Sequence, residues 1–496
     1  MTAAPLTGRL AAVPDRLLHE EVLAPQFRYE MAHLRRWYLH IEKILVCEYR
    51  RLGVIGADEA AALGAALQSV AEADLVPDLA ENLADPAFAI ERRVEAALTV
   101  PVPAWHVDRS RNDLQATAQV MAARDWVTSS VDELLDTAAV VAETAARLAW
   151  TPMPGQTQLQ AAQTSSPGFH LAALGDQILR TARRLLATHD DMNLCPLGAG
   201  ALTGQELAFD RDRMARLGGF AGRQPHALVS VASRSWALAF SADVSVFGVT
   251  LSRFATDLMA WGGGDAGYLR LPDELSGISS AMPQKRNYPV LERIRGRTAH
   301  LSSAYFDVAL AQRNTPYSNM IEVSKESTAG IRSMVDTLTS VLRLLRAVLS
   351  GMTIDAERAR EAVESEYLGG FTLANQLTLR GGVPWRRAQV IAGRYVTAAL
   401  NRGLPPAAVD PGLLAGIAEA AGHPIADPVT PLTRAFGGDG LTAKVTPGAA
   451  HPDAVAAMLD AQAGDAARLR EDCRLRRAAV VSALSEVDAL LGVGAP

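Results

Sequence analysis

The sequence predicts an all-α fold, with a central bundle of long helices and two smaller, mainly helical end domains. Three observations carry that expectation: long stretches contain no proline, apolar residues within them recur at helical spacing, and strand-like alternation is scarce. At 496 residues the chain exceeds one ordinary hydrophobic core, so a bundle with added end domains also suits its length.

Taken in order, the first hundred residues are broken by Pro77, Pro86, Pro101 and Pro103, which limits them to short helices and places a boundary near 104. The stretch from Thr128 to Trp150 begins the bundle. Between Pro167 and Pro196, Leu171, Leu174, Ile178 and Leu185 recur three, four and seven apart, the stripe of an amphipathic helix. From His226 to Leu271 the apolar set Leu238, Phe240, Val244, Val246, Leu251, Phe254, Leu258 and Trp261 covers more than one face, so this helix should be central and buried. The gap from Tyr317 to Val383 holds Met334, Leu338, Val341, Leu344, Leu345 and Val348 before Gly351 closes the run. Turn-rich segments at 403–412 and 423–448 mark a separate end domain. The expected division is an N-terminal helical domain, 1–104, a bundle carrying the site loops, 105–350, and a C-terminal helical domain, 351–496.

Composition removes several function classes. Hydrophobic residues make up 49% and charged residues 21%, the balance of a folded protein rather than a disordered one. A net charge of -6 offers no basic face for nucleic acid. Cys47, Cys195 and Cys473 are far apart and suggest neither a disulfide framework nor a zinc knuckle, which points to the reducing cytosol. The start, residues 1–9, lacks the basic and apolar runs of a signal peptide, and no uncharged apolar stretch reaches membrane-spanning length. The ten histidines form no metal-binding spacing, so neither metal nor cofactor is expected.

Three polar loops between the proposed helices could carry chemistry. His106-Val-Asp-Arg-Ser-Arg-Asn-Asp113 packs two guanidinium groups, a hydroxyl and a carboxamide before a helical run, an arrangement suited to a carboxylate. Its plainer role is a charged turn with Asn112 or Asp113 capping the helix. Gly155-Gln-Thr-Gln-Leu-Gln160 reads alone as a polar loop capping the next helix. Ser276-Gly-Ile-Ser-Ser-Ala-Met-Pro-Gln-Lys-Arg-Asn-Tyr-Pro289 combines mobility with Lys285 and a helix beginning near Val290, so it could close over a ligand and meet developing negative charge. By contrast, Gly262-Gly-Gly-Asp-Ala-Gly267 follows a helix rather than a strand and reads as a helix-ending turn, not a dinucleotide loop.

In this order, the loops resemble the argininosuccinate lyase branch of the fumarase and aspartase superfamily. Arg109-Ser-Arg-Asn-Asp113 is similar to R-S-R-N-D, Gly155-x-Thr157 to the G-x-T loop, and Ser279-Ser-x-Met-Pro-Gln-Lys-x-Asn287 to the signature S-S-x-M-P-x-K-x-N. Similarity continues through Cys195–Leu202 and through Tyr317 with Lys325. The resemblance implies a cytoplasmic homotetramer with sites shared between subunits. It also implies a carbon–nitrogen lyase that removes an amine from an N-succinylated substrate to leave fumarate. On it, Ser279 is the base, and Lys285 and Asn287 stabilise the anionic intermediate. Ser110, Arg111, Asn112 and Thr157 hold the carboxylates, Tyr317 and Lys325 meet the amine half, and Gln158, Ser280, Met282 and Glu292 complete the contacts.

Four departures from the pattern matter, and three of them fall away from the fumarate half. Gln158 stands where the branch has histidine, and cannot donate and recover a proton as imidazole does. Glu322 replaces a glutamine and should favour a cationic partner. Ser233-Arg-Ser235 replaces D-R-D, and the branch's early histidine is replaced near Ala87. The expected substrate is therefore argininosuccinate or another N-(1,2-dicarboxyethyl) amine. The alternatives are aspartate as in the ammonia-lyases, another lyase of the superfamily, and a non-catalytic structural relative.

Overall fold

The computed structural model describes residues 12–437 and 440–494, so the expectation about residues 1–9 lies outside them. Among the described residues six helices of more than twenty residues dominate: Arg111–Leu148, Pro167–Met192, Ser235–Gly262, Pro289–Gln312, Ile331–Gly351 and Pro452–Leu491. Local chemistry sets their starts. The Ser110 and Ser166 hydroxyls accept the amides of Asn112 and Phe169 at 3.2 and 3.1 Å, and Pro167, Pro289 and Pro452 open their helices where no amide is needed. Ser110 is thus the cap, rather than Asn112 or Asp113, because it is the last extended residue.

The fold is all-α. The Arg111–Leu148 helix packs on Pro167–Met192, Ile331–Gly351 and Pro452–Leu491, and Ser235–Gly262 packs mainly along Pro289–Gln312. Leu134, Val141, Leu174, Ile178, Val244, Leu251, Leu338 and Val341 are buried in one continuous core across this bundle. A second core, with Leu377, Ile391, Tyr395 and Leu414, lies in the segment 373–432. The final helix turns back from that segment and contributes Val455, Leu459 and Val487 to the bundle core.

Ser235–Gly262 meets the length and composition of a membrane-crossing helix by mean hydropathy, 1.2, which qualifies the expectation that no such stretch exists. It is a bundle helix whose Asp243 accepts Arg184 and Thr188 at 3.1 and 3.0 Å.

Four short two-stranded pairings connect the helices among the described residues. One corrects the reading of 155–160 as a capping loop. Met153–Thr157 and Gln160–Ser165 form an antiparallel hairpin, turned by Gln158 and Leu159 at φ 48° and 62°, and Ser166 caps the following helix instead. Another pairs Gly277–Ile278 with Arg286–Asn287 and closes the base of the serine loop.

Candidate active site

The segment before Arg111 divides its polar residues into inward and outward sets. Arg109 is buried against Glu42 and Glu91, and burial lowers its guanidinium to about 9. Asp113 also turns inward, where its Oδ2 accepts the amides of Gly198 and Gly200, both at 3.0 Å. Burial pushes this carboxyl up to about 7 although those amides favour the anion. Both glycines have positive φ, 84° and 59°, so the turn after Cys195 exists to present two amides to one acid.

Arg111 and Asn112 remain outward. Arg111 Nη1 lies 2.5 Å from Asp85 Oδ2, and the guanidinium sits 5.1 Å from the centre of the Phe88 ring. Asn112 Nδ2 donates to the Ala201 carbonyl at 3.0 Å. Both line a cavity of about 140 Å³ that also takes Lys325, Glu30, Asp85 and Gln115 into its wall. Ala87 lies in the same wall, whereas Ser233 and Ser235 line a separate cavity of about 60 Å³.

Lys325 Nζ donates to Glu30 Oε1 at 2.9 Å. The segment carrying it is held from behind: Gln119 Nε2 donates to the Ser324 carbonyl at 2.6 Å, and buried Arg234 donates to Gln119 Oε1 at 2.7 Å. Sequence reasoning missed Glu30, Tyr38, Asp85, Gln115 and Asn319 in this wall. Gln115 was within reach of it, standing one helical turn after Arg111 on the same face.

The other anticipated residues lie outside the cavity wall. Ser279, Ser280, Met282, Lys285 and Asn287 occupy the serine loop, where Ser280 and Lys285 are exposed and Met282 is 43% exposed. Within it, Ser279 Oγ accepts the amides of Ala281 and Met282 at 3.4 and 3.1 Å, and Asn287 Nδ2 donates to the Ile278 carbonyl at 3.4 Å. Arg286 anchors the loop through Ser276 Oγ at 3.1 Å and Asp273 at 2.8 Å. Glu292 is exposed in the first turn of Pro289–Gln312. Thr157 and Gln158 are exposed at the hairpin tip, and Tyr317 and Glu322 are exposed ahead of Lys325. One chain therefore brings Arg111, Asn112 and Lys325 together, with Ser110 as the cap behind them, and holds the serine loop and hairpin tip apart as exposed edges. Among the described residues no cluster of three or more acidic, histidine or cysteine side chains is placed to hold a metal ion.

A family model described as "Lyase" matches residues 23–301. Argininosuccinate lyase of Methanothermobacter thermautotrophicus is 31% identical over 359 residues, 72% of this chain and 76% of that protein. Argininosuccinate lyase of Nitrosococcus oceani is 31% identical over 415 residues, 82% and 86% of the two chains. Among solved structures, EDDS lyase in complex with formate superposes with a TM-score of 0.84 at 22% identity, covering 98% of this chain and 97% of that one. Class II fumarase from Schistosoma mansoni does so at 0.65 and 16%, covering 84% and 91%. The chain belongs to the lyase family, in the argininosuccinate lyase branch of the fumarase and aspartase superfamily, and is a carbon–nitrogen lyase.

Proposed function

We propose that the protein eliminates an amine from an N-succinylated substrate and releases fumarate, with Ser279 as the base. The observation that carries the reading is the hydroxyl of Ser279 accepting two backbone amides, at 3.4 and 3.1 Å, from its own loop. A free hydroxyl is far too weakly acidic at neutral pH, and donors aimed at its oxygen favour the anion. The proton leaves the carbon next to a carboxylate, the extra charge of the intermediate spreads onto that carboxylate, and the amine departs from the neighbouring carbon. Lys285 and Asn287 meet that charge, while Arg111, Asn112 and Thr157 hold the carboxylates.

A homotetramer with shared sites accounts for the separation of the loops, because a partner subunit would bring its serine loop and hairpin tip to the Arg111–Lys325 cavity. The packed helices Ser235–Gly262 and Pro289–Gln312 leave Val246, Val249, Phe306 and Leu310 55–62% exposed, which supports association through them. The free cysteines support a reducing, cytoplasmic setting.

Glu322 favours a cationic or amine-bearing partner over the carboxylate of the arginine head, so an N-succinylated amine other than argininosuccinate is a rival substrate. The test incubates purified protein with fumarate and a panel of amines and follows loss of the ultraviolet absorbance of the double bond. Turnover with an amine supports the reading, and inertness towards all of them, with argininosuccinate also unchanged, removes it.

A further inference from the structure

We propose that Glu30 selects the amine partner by neutralising Lys325, so that the cavity prefers an amine carrying a second positive charge over one carrying a carboxylate. This rests on the proposed reading in which Lys325 meets the amine half while Arg111 and Asn112, in the same cavity, hold the succinyl carboxylates.

Glu30 lies on the helix Ala24–His33 and is 1% exposed. Its Oε1 accepts Gln26 Nε2 at 2.9 Å, Gln115 Nε2 at 3.0 Å and Lys325 Nζ at 2.9 Å, and its Oε2 accepts the Tyr38 hydroxyl at 3.4 Å. A carboxyl group surrounded only by donors is built to be an anion, and a buried anion needs a cation beside it. Lys325 is that cation. Its side chain is 25% exposed against 1% for Glu30, so the ammonium faces the cavity while the carboxylate stays behind it.

The charges that line the cavity then cancel. Lys325 is matched by Glu30 and Arg111 by Asp85, at 2.9 and 2.5 Å. Glu322, exposed three residues before Lys325 and outside the cavity wall, adds a negative charge on the same segment. A lysine free of Glu30 would attract a carboxylate on the incoming amine, whereas one already paired offers that carboxylate little. A second ammonium meets the acidic surplus instead.

Two amines of matched length separate these cases: 1,3-diaminopropane ends in an ammonium, and β-alanine ends in a carboxylate. Addition of each to fumarate yields kcat/KM, and the ratio of the two reads preference independently of overall activity. The native enzyme should favour the diamine. Glu30→Gln should shift the ratio at least tenfold towards β-alanine, and Glu30→Asp, which keeps the charge, should retain the native preference. A native enzyme that is active while Glu30→Gln leaves the ratio unchanged overturns the inference. A native enzyme inert to every amine overturns the underlying reading and the inference with it. Should Glu30→Gln fail to fold, Lys325→Gln leaves the acid uncompensated and should raise preference for the diamine about tenfold. An unchanged or reversed ratio there overturns the proposal equally.

Discussion

Asp85 closes on Arg111 across the cavity mouth, its Oδ2 2.5 Å from Nη1, while its Oδ1 accepts the Ala87 amide at 2.9 Å and caps the helix Pro86–Ala97. One carboxylate thus serves two partners, and only one of them concerns a ligand. A substrate carboxylate that uses the Arg111 fork must compete with Asp85. Asp85→Asn keeps an oxygen for the cap but removes the charge. Because the Arg111 side chain is 58% exposed, the pair is worth roughly 0.2–1 kcal/mol. The KM for fumarate should therefore fall by up to about fivefold with the melting temperature little changed. An unaltered KM would show that Asp85 does not compete.

Ser279 and Lys285 have separable roles in the proposed chemistry. Ser279→Ala should abolish turnover while fumarate still protects the protein against thermal unfolding. Lys285→Ala removes a charge-stabilising donor and should cost about 2.7–4 kcal/mol in the barrier, a loss of about a hundred- to a thousandfold in kcat. Residual turnover in Ser279→Ala above that of Lys285→Ala would remove the serine as base.

The long helices were legible because proline-free gaps and apolar spacing are local signals, and Ile331–Gly351 ends at the glycine that closes its run. The hairpin was not legible. Its turn places Gln158 and Leu159 at positive φ without the Asn-Gly pair that announces such turns. Arg111, Asn112 and Lys325 could be singled out by motif, but their partners could not. Glu30 meets Lys325 across 295 positions of sequence, a juxtaposition that only the packed bundle creates. The string Arg109–Asp113 also hid its own division, since alternate exposure depends on which residues the glycine turn at 198–200 captures.

That glycine turn should be intolerant of side chains. A Cβ on Gly200 would stand 2.5 Å from the Gly204 carbonyl oxygen, and the residue already has a φ of 59°. Gly200→Ala should destabilise the fold by about 1–3 kcal/mol through backbone strain, with further loss if the Asp113 bond breaks. Chemical denaturation reads this directly. A variant as stable as the native protein would mean that the turn relaxes without releasing Asp113.

Acid stability should expose a conflict between Asp113 and two buried histidines. Burial lowers His40 and His189 to about 4, whereas an unfolded histidine titrates near 6.5. The unfolded chain therefore binds more protons below 6.5, and stability falls as the pH drops towards 4, by roughly 3 kcal/mol per histidine. Asp113 works in the opposite sense. Its folded value of about 7 lies above the unfolded 3.8, so the folded chain binds its proton first and gains stability as the pH falls through that window, by roughly 4 kcal/mol. The native protein should consequently show a shallow loss between pH 6.5 and 4. Asp113→Asn removes the opposing contribution and should steepen that loss, measured as unfolding free energy against pH. If the variant and the native protein follow parallel curves, Asp113 is ionised in the fold across this range, and the two glycine amides outweigh its burial.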